Sequence, residues 1–236
     1  MNAYKRMLLA GFCAGSTILA FGSQAQAAKA ASPKVDKTSA AIYNNRLLDW
    51  YEEFNRARDT FFESRGVFDR LVPASTGIGS GNRENAALSA RVFAIRPKGD
   101  RVTVKDIPSP LQCSAQDYRS SFSRAVEVDH PLFRQIIVSG TASISPGGES
   151  VHLGDIDKQT ELSLDVIEAI LKSRGMGWKD VVRSVAYFKD KDYASHYEKI
   201  ALRRGLAIMP CIGIQADVCR DNLLFEMELD AAVLKA

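Results

Sequence analysis

The second half of this 236-residue sequence predicts an α+β fold, with one sheet and two helices packed on one of its faces. Two segments, from about residue 157 or 160 to 175 and from 192 to 204, have apolar residues at the spacing of an amphipathic helix. Segments 133–144 and 181–189, and two more after Pro210, have the short alternating pattern of strands. Their order along the chain, β-α-β-α-β-β, predicts that the strands form one sheet and that the two helices pack on one of its faces.

The N-terminus has the features of a secretory signal peptide. Basic residues Lys5 and Arg6 precede an apolar run at 7–21, and a small-x-small tripeptide, Ala-Gln-Ala, ends at Ala27. Since the run is shorter than the ~20 residues of a comfortable membrane span, we expect cleavage after Ala27, no stable membrane anchor, and a periplasmic or secreted protein. An uncleaved anchor is the alternative. The polar segment 28–40 predicts a flexible leader.

Residues 41–129 are predicted to form an N-terminal extension of a domain at 130–236. The extension begins with a helix over 41–65, which ends before a glycine. A loop rich in glycine and hydroxyl residues follows at 71–86, and then a strand at 87–97 that turns back as a hairpin. Six residues are expected to face inward from the helix: Leu47, Trp50, Tyr51, Phe54, Ala57 and Phe61.

The helices of the second half are predicted to bury one face each. Asp157 or Thr160 is the expected N-cap of the first helix. The two strands after Pro210 are expected to be consecutive and antiparallel. The predicted inward residues are Leu164, Ile167, Ile170 and Leu171 on the first helix, and Tyr193, Tyr197 and Ile200 or Ala201 on the second.

Charge and cysteine content exclude several classes of function. The formal charge of +3 comes partly from lysines before residue 40. The sequence has no stripe of basic residues, so nucleic acid is not an expected partner. After cleavage three cysteines remain, Cys113, Cys211 and Cys219, which is too few for a disulfide scaffold. One bridge between Cys211 and Cys219 is possible in an oxidising compartment. The spacing of cysteines and histidines matches no zinc site, so no metal is expected.

The last strand alternates apolar and acidic residues. Two interpretations are open, a solvated outer face or a general acid or base. Period-two alternation places Phe225, Met227 and Leu229 on one face, and Glu226, Glu228 and Asp230 on the other.

Three runs together resemble the Rid (YjgF) family: VSGTASISP, GDIDKQTELSLDVIEAILKSRGMGWKDVVRSVAYFKD and FEMELDAAV. The resemblance covers roughly residues 130–236. It implies a chorismate-mutase-like α+β fold and a homotrimer with ligand clefts between subunits.

Upstream runs resemble the chorismatase group of two-part Rid relatives: NRLLDWYEEFNRARDTFF, VPASTGIG, SPLQC, YRSSFSRAVEV and ADVCRDNLLFE. This resemblance covers about residues 43–230. It implies removal of pyruvate from chorismate or a related enolpyruvyl or cyclohexadiene carboxylate, by a hydrolase or lyase that needs no cofactor. These enzymes usually carry a further N-terminal domain, and here the predicted signal peptide stands in its place.

In this resemblance the catalytic glutamate falls at Glu226. Cleavage of an enol ether needs an acid to protonate the terminal methylene group, and a carboxyl group with a raised pKa suits that step. Glu228, ~7 Å along the same strand face, would raise the pKa of Glu226 because like charges disfavour ionisation.

The remaining candidates are predicted to bind substrate. Cys219 resembles the pocket residue of the branch that makes 3-hydroxybenzoate, and a small buried apolar role is its alternative. Arg124 and Tyr118, followed by Arg220, are candidates for carboxylate recognition, although each type is often an ordinary surface or ion-pair residue. Gly140 would allow a close backbone approach to a ligand, or simply pack a strand end.

The loop VPASTGIG is a further candidate, because it would present backbone amides and the hydroxyls of Ser75 and Thr76 to a ligand. A plain turn is the alternative.

Two other functions stay open. One is a non-catalytic periplasmic Rid-like protein that binds a small aromatic or cyclohexadiene carboxylate. The other is a Rid-type enamine or imine deaminase with an altered site. Deaminating Rid proteins resemble one another in an arginine before the penultimate strand, where this sequence has Ile212.

Overall fold

The computed structural model describes residues 16–20, 47–81 and 88–235. Most of the predicted signal peptide, the leader and the first residues of the predicted N-terminal helix lie outside them. Within the described part of the chain, no helix combines the length and apolar character that a membrane crossing requires.

The secondary structure elements, in chain order, are β1 (Ser16–Ala20), α1 (Asp49–Ser64), β2 (Arg91–Ile95), β3 (Thr103–Ile107), β4 (Ala125–His130), β5 (Phe133–Ala142), α2 (Ile156–Ser173), β6 (Val181–Phe188), α3 (Ala194–Arg203), β7 (Cys211–Gln215) and β8 (Phe225–Leu234). Short 3-10 helices lie at Ala115–Tyr118, Trp178–Asp180 and Lys191–Tyr193.

A six-stranded mixed sheet organises the molecule, with strand order β3-β4-β5-β8-β6-β7. Helices α2 and α3 pack together, and their apolar faces cover one side of the sheet. This confirms the predicted α+β class. The predicted inward residues of α2, Leu164, Ile167, Ile170 and Leu171, are all fully buried.

The prediction for the start of α2 is wrong by part of a turn. The side chain of Asp155 caps this helix by accepting a hydrogen bond from the backbone N–H of Lys158 at 3.0 Å. Asp157 instead contacts His196 at the start of α3, at 2.8 Å, and Thr160 is buried inside the helix.

The two C-terminal strands are not an antiparallel pair. β7 runs parallel to β6 at the sheet edge, and β8 lies between β5 and β6, antiparallel to both. Because α3 connects β6 to β7, the crossover returns the chain in the same direction, as a β-α-β unit requires. β8 is buried on both faces, which favours a central position.

Helix α1 buries a different stripe from the predicted one. Tyr51 faces inward as expected, but Trp50 and Phe61 are exposed. Its other buried residues are Asn55, Arg58 and Phe62. The buried stripe includes two polar residues, so hydrophobic spacing alone selected a face rotated from the true one.

The predicted hairpin is also wrong, because its two strands join different sheets. β2 pairs in parallel with β1, whereas β3 pairs antiparallel with β4. Within β4, Glu127 is buried and accepts hydrogen bonds from Arg174. The boundary predicted at 129/130 falls inside β4, one residue before its end.

Candidate active site

One cavity is lined by all six residues that the sequence nominates: Glu226, Cys219, Arg124, Tyr118, Arg220 and Gly140. The empty space at this site is about 400 Å³, a figure that includes open solvent at its mouth. Its walls come from β5, β8, α1 and the loops that precede β4 and β8. The fold thus gathers residues that are more than a hundred positions apart.

Glu226 lies in the middle of the sheet, opposite Ala142 of β5 and Tyr187 of β6. Only 5% of its surface is exposed. Burial, and then the negative charge of Glu228, raises the pKa of Glu226 to about 8, while Arg124 works in the opposite direction. The carboxyl group therefore carries a proton at neutral pH and can donate it.

The three acidic residues of β8 are not a solvated face. Glu226, Glu228 and Asp230 are all buried, and they lie on the side of the sheet away from α2 and α3. Arg183 of β6 forms ion pairs with Glu228 and, at 3.7 Å, with Asp230. Only Glu226 among the three lines the cavity.

Gly140 leaves the space that the Glu226 carboxyl group occupies. A Cβ atom at this position would lie 1.9 Å from Oε1 of Glu226 and 2.9 Å from Cγ2 of Thr76. The pairing of β5 with β8 shifts register between Val138 and Thr141, which places Gly140 in an irregular segment. The group that closely approaches the backbone at Gly140 is thus the Glu226 side chain, where the sequence predicted a ligand.

Arg124 presents an unsatisfied donor in the cavity wall. Its guanidinium stacks between the rings of Tyr118 and Phe122, with Cζ 5.3 and 5.6 Å from the ring centroids. Nε donates to the carbonyl of Cys113 at 3.0 Å, but the buried Nη2 has no hydrogen-bond partner among the described residues. A buried, unpaired guanidinium nitrogen is suited to an anionic ligand.

Arg220 is partly committed to the protein itself. Its Nη1 donates to the carbonyl of Gly148 at 3.0 Å and to Oγ of Ser150 at 3.2 Å. Its Cζ lies 5.0 Å from the centroid of the Tyr118 ring, so this ring contacts the guanidinium groups of both Arg220 and Arg124. Arg220 thus holds the 148–150 loop against the cavity.

Cys219 is a neutral thiol in this environment. Burial and the charge of Glu226 raise its pKa to about 12, which disfavours the thiolate that a nucleophile needs. Its carbonyl accepts a hydrogen bond from the N–H of Leu48 at 3.0 Å, so the start of α1 is attached beside the cavity. The three described cysteines are all free, including Cys211 and Cys219.

Tyr51 is the main cavity residue that sequence reasoning missed. It was assigned only to the inward face of a helix, yet α1 brings it into the cavity wall. Burial and the charges of Cys219 and Glu226 raise the pKa of its hydroxyl group, although Arg58 opposes them. A Cβ on Gly77 would lie 2.6 Å from Cε2 of Tyr51, so this glycine makes room for the ring.

Ser75 and Thr76 hold their loop in place. Oγ of Ser75 accepts a hydrogen bond from Arg58 at 3.2 Å, and its N–H donates to Ser139 at 3.0 Å. Oγ1 of Thr76 accepts from the N–H of Gly140 at 3.0 Å. Ser75 lines the cavity as well, so the loop is a wall fixed to α1 and β5.

No group of histidine, cysteine, aspartate and glutamate side chains in the described ranges is arranged to hold a metal ion. The polar groups that line the cavity include the protonated carboxyl of Glu226, two guanidinium groups and several hydroxyls.

The C-terminal half of this chain is similar to a known protein family and to a small member of the RutC family. The family model "Endoribonuclease L-PSP" matches residues 114–233. A RutC family protein of Pyrococcus abyssi is 30% identical over 108 residues, which are 45% of this chain and 82% of that protein.

Two larger relatives match more of the chain. A chorismatase of Streptomyces rapamycinicus is 28% identical over 197 residues, 77% of this chain and 57% of the relative. A 3-hydroxybenzoate synthase of Streptomyces hygroscopicus is 29% identical over 206 residues, 78% of this chain and 58% of the relative. The chain thus spans a little over half the length of these two relatives. The family-model match shows that the chain belongs to the endoribonuclease L-PSP (Rid/YjgF) superfamily.

Proposed function

We propose that the protein is an exported, chorismatase-like enzyme that removes pyruvate from chorismate or from a related enolpyruvyl or cyclohexadiene carboxylate. The observation that carries the proposal is the buried Glu226, whose raised pKa leaves it protonated at neutral pH inside a cavity. The similarity to a chorismatase and a 3-hydroxybenzoate synthase supports the substrate class.

The proposed reaction begins with proton transfer. Glu226 gives its proton to the terminal methylene carbon of the enolpyruvyl group, which leaves an oxocarbenium ion and a glutamate anion. The anion stabilises the neighbouring cation. Water adds to the cationic carbon, a proton returns to Glu226, and the resulting hemiketal breaks its C–O bond to give pyruvate and an alcohol.

Substrate binding is assigned to the positive side of the cavity. Nη2 of Arg124 would donate to a substrate carboxylate, because it is buried and has no partner among the described residues. The ring of Tyr118 lies against that guanidinium, with the Arg124 Cζ 5.3 Å from the ring centroid. Arg220 would act as a second positive charge whose position is set by its contacts with Gly148 and Ser150.

Cys219 would shape the pocket and select the product. Its neutral thiol makes a nucleophilic role unfavourable, which leaves size and polarity as its contribution. The neighbouring ring hydroxyl of the intermediate would then add to the cationic carbon in place of water. The bond from that oxygen to the ring breaks, the ring loses a proton and becomes aromatic, and collapse of the resulting hemiketal gives pyruvate and 3-hydroxybenzoate. Product analysis by mass spectrometry distinguishes the aromatic acid from the dihydrodiol that water addition gives.

The test is pyruvate release by the purified mature protein. Wild-type protein should release pyruvate from chorismate, and Glu226→Gln should lower the rate at least a hundredfold because it removes the acid. Glu198→Gln is the matched control, since it makes the same change at an exposed position of α3, on the other side of the sheet, and should leave the rate unaltered. A folded protein that releases no pyruvate from chorismate or related enol ethers contradicts the proposal.

The other functions are outcomes of the same experiment. A carboxylate that raises the melting temperature of an inactive protein would indicate a binding protein. Imine hydrolysis that survives Glu226→Gln would indicate a deaminase. Ile212, where deaminating Rid proteins resemble one another in an arginine, lies on the edge strand β7 with 60% of its surface exposed.

Export and assembly are part of the proposal. Cleavage after Ala27 predicts a mature chain that begins at Ala28, which intact-mass measurement of the exported protein would detect. A homotrimer is expected from the family resemblance, and exposed apolar residues near β7, such as Ile208 and Ile212, would be covered in it. Light scattering of the purified protein gives the subunit number, and a monomer would contradict this assignment.

A further inference from the structure

Beside the cavity lies a second group of buried charges that the proposed reaction does not use. It consists of Glu228 and Asp230 on β8 and of Arg183 on β6. Sheet pairing sets Arg183 opposite Asp230 and Val185 opposite Glu228. The long side chain of Arg183 therefore reaches along the strand to both carboxylates. This group continues directly from Glu226, since residues two apart on a strand share a face.

The pairing with Arg183 distinguishes the two neighbouring carboxyl groups, Glu228 and Glu226. Glu228 is almost completely buried, so its negative charge is stabilised mainly by the guanidinium group. Glu226 has no ion pair of this kind among the described residues. Two neighbouring buried carboxyl groups, of which one has a cationic partner, divide their protons unequally, and the unpaired group keeps the proton.

The other groups that face Glu226 do not replace this effect. Tyr187 on β6, Tyr51 on α1 and Cys219 before β8 are neutral, because burial raises the pKa of each. Among the described residues, Arg124 is the cation whose charge clearly opposes protonation of Glu226. Glu228 is therefore the nearby anion that offsets Arg124.

We infer that Glu228, held as an anion by Arg183, is a positioning residue that keeps the catalytic proton on Glu226 and thereby sets the upper pH limit of the reaction. Its role in turnover rests on the proposed function, whereas its control of the Glu226 proton does not. In this inference Glu226 donates the proton, and the negative charge of Glu228 favours the protonated form of Glu226.

Glu228→Gln tests this inference by removing the charge while keeping the shape. Two unit charges ~7 Å apart interact enough, at an effective dielectric constant of about 20, to change a pKa by about 1.7 units. The basic limb of the pH–rate profile should therefore move from about pH 8 to between about pH 6 and 7, with the plateau rate at lower pH and the KM retained. A merely structural role would lower the rate equally at every pH.

Two further variants complete the kinetic test. Glu228→Asp keeps the charge and should restore a basic limb near the wild-type position. Asp230→Asn removes the other anion that pairs with Arg183, at about twice the distance of Glu228 from Glu226. It should therefore move the basic limb of the pH–rate profile by no more than half of the shift that Glu228→Gln causes. A limb that Glu228→Gln leaves in place, or that Asp230→Asn moves further, overturns the inference.

An equilibrium measurement keeps the inference testable if the protein releases no pyruvate. The pH dependence of unfolding is compared between the parent and Glu226→Gln, once in the wild-type background and once with Glu228→Gln. In each background, the difference in free energy of unfolding between the parent and its Glu226→Gln variant changes with pH only up to the pKa of Glu226 in the folded protein. This upper pH limit should lie about one to two units lower in the Glu228→Gln background. Identical limits overturn the inference, whereas absence of turnover with shifted limits contradicts only the proposed function.

Discussion

Glu226→Gln should stabilise the protein, and increasingly so as the pH rises. In the unfolded chain the carboxyl group titrates near 4.5, whereas in the folded protein burial and Glu228 raise its pKa to about 8. The folded state therefore binds a proton more tightly, and the stability that this proton contributes is complete below about pH 4.5 and is lost as the pH rises toward 8. Glutamine keeps the shape and loses no proton.

The size of the effect follows from the two pKa values. Each pH unit between them changes the free energy of unfolding by about 1.4 kcal/mol for one group. From pH 5 to pH 8 the variant should therefore gain on the order of 3 kcal/mol relative to the wild-type protein. Urea unfolding of both proteins at pH 5, 6, 7 and 8, in one buffer series of constant ionic strength, measures this difference.

Glu127→Gln is the control with the opposite sign. Glu127 is equally buried, and although burial opposes ionisation, hydrogen bonds from Arg174 and Lys105 hold the pKa of its carboxyl group below the ordinary value. This variant should be destabilised at neutral pH, and its deficit should shrink only in acid. A Glu226→Gln difference that stays constant from pH 5 to pH 8 would refute the argument that Glu226 is a buried, protonated acid.

Four further outcomes are expected. Gly140→Ala should abolish activity, because the new Cβ would lie 1.9 Å from the catalytic carboxyl oxygen, whereas Gly177→Ala, with no atom within 4 Å of its Cβ, should be tolerated in pyruvate-release and melting assays. Arg124→Gln should raise KM at least tenfold while the melting temperature shows a folded protein; an unchanged KM argues against carboxylate binding. Cys219 should react with iodoacetamide far more slowly than free cysteine at pH 8, and rapid alkylation of the folded protein would contradict the raised pKa. Tyr51→Phe should lower kcat/KM about tenfold with little change in stability, if its hydroxyl contacts substrate; wild-type kinetics would exclude that contact.

Sequence reasoning worked where one simple pattern determines the structure. The four inward residues of α2 follow the helical period without interruption, and their burial is as expected. The alternation of β8 correctly separated the face that packs on the helices from the acidic face. It did not reveal that the acidic face is buried, since burial depends on what the rest of the chain places over it.

The errors arise where long-range contacts override local pattern. The buried stripe of α1 contains Asn55 and Arg58, whose polar partners come from the loop at Ser75 and from the helix itself, so hydrophobicity did not identify it. The position of β7 beside β6 is a property of the crossover through α3. Tyr51 looked like an ordinary core residue because its neighbour Gly77 is distant in sequence.

The measurement that tests the central claim most directly is the rate of pyruvate release from chorismate as a function of pH, for the wild-type protein and for Glu226→Gln. The account predicts a wild-type rate that is level below about pH 8 and falls tenfold per unit above it, and a rate at least a hundredfold lower for the variant. A variant that keeps the wild-type rate, or a folded wild-type protein that releases no pyruvate, would contradict Glu226 as the acid of a chorismatase-like reaction.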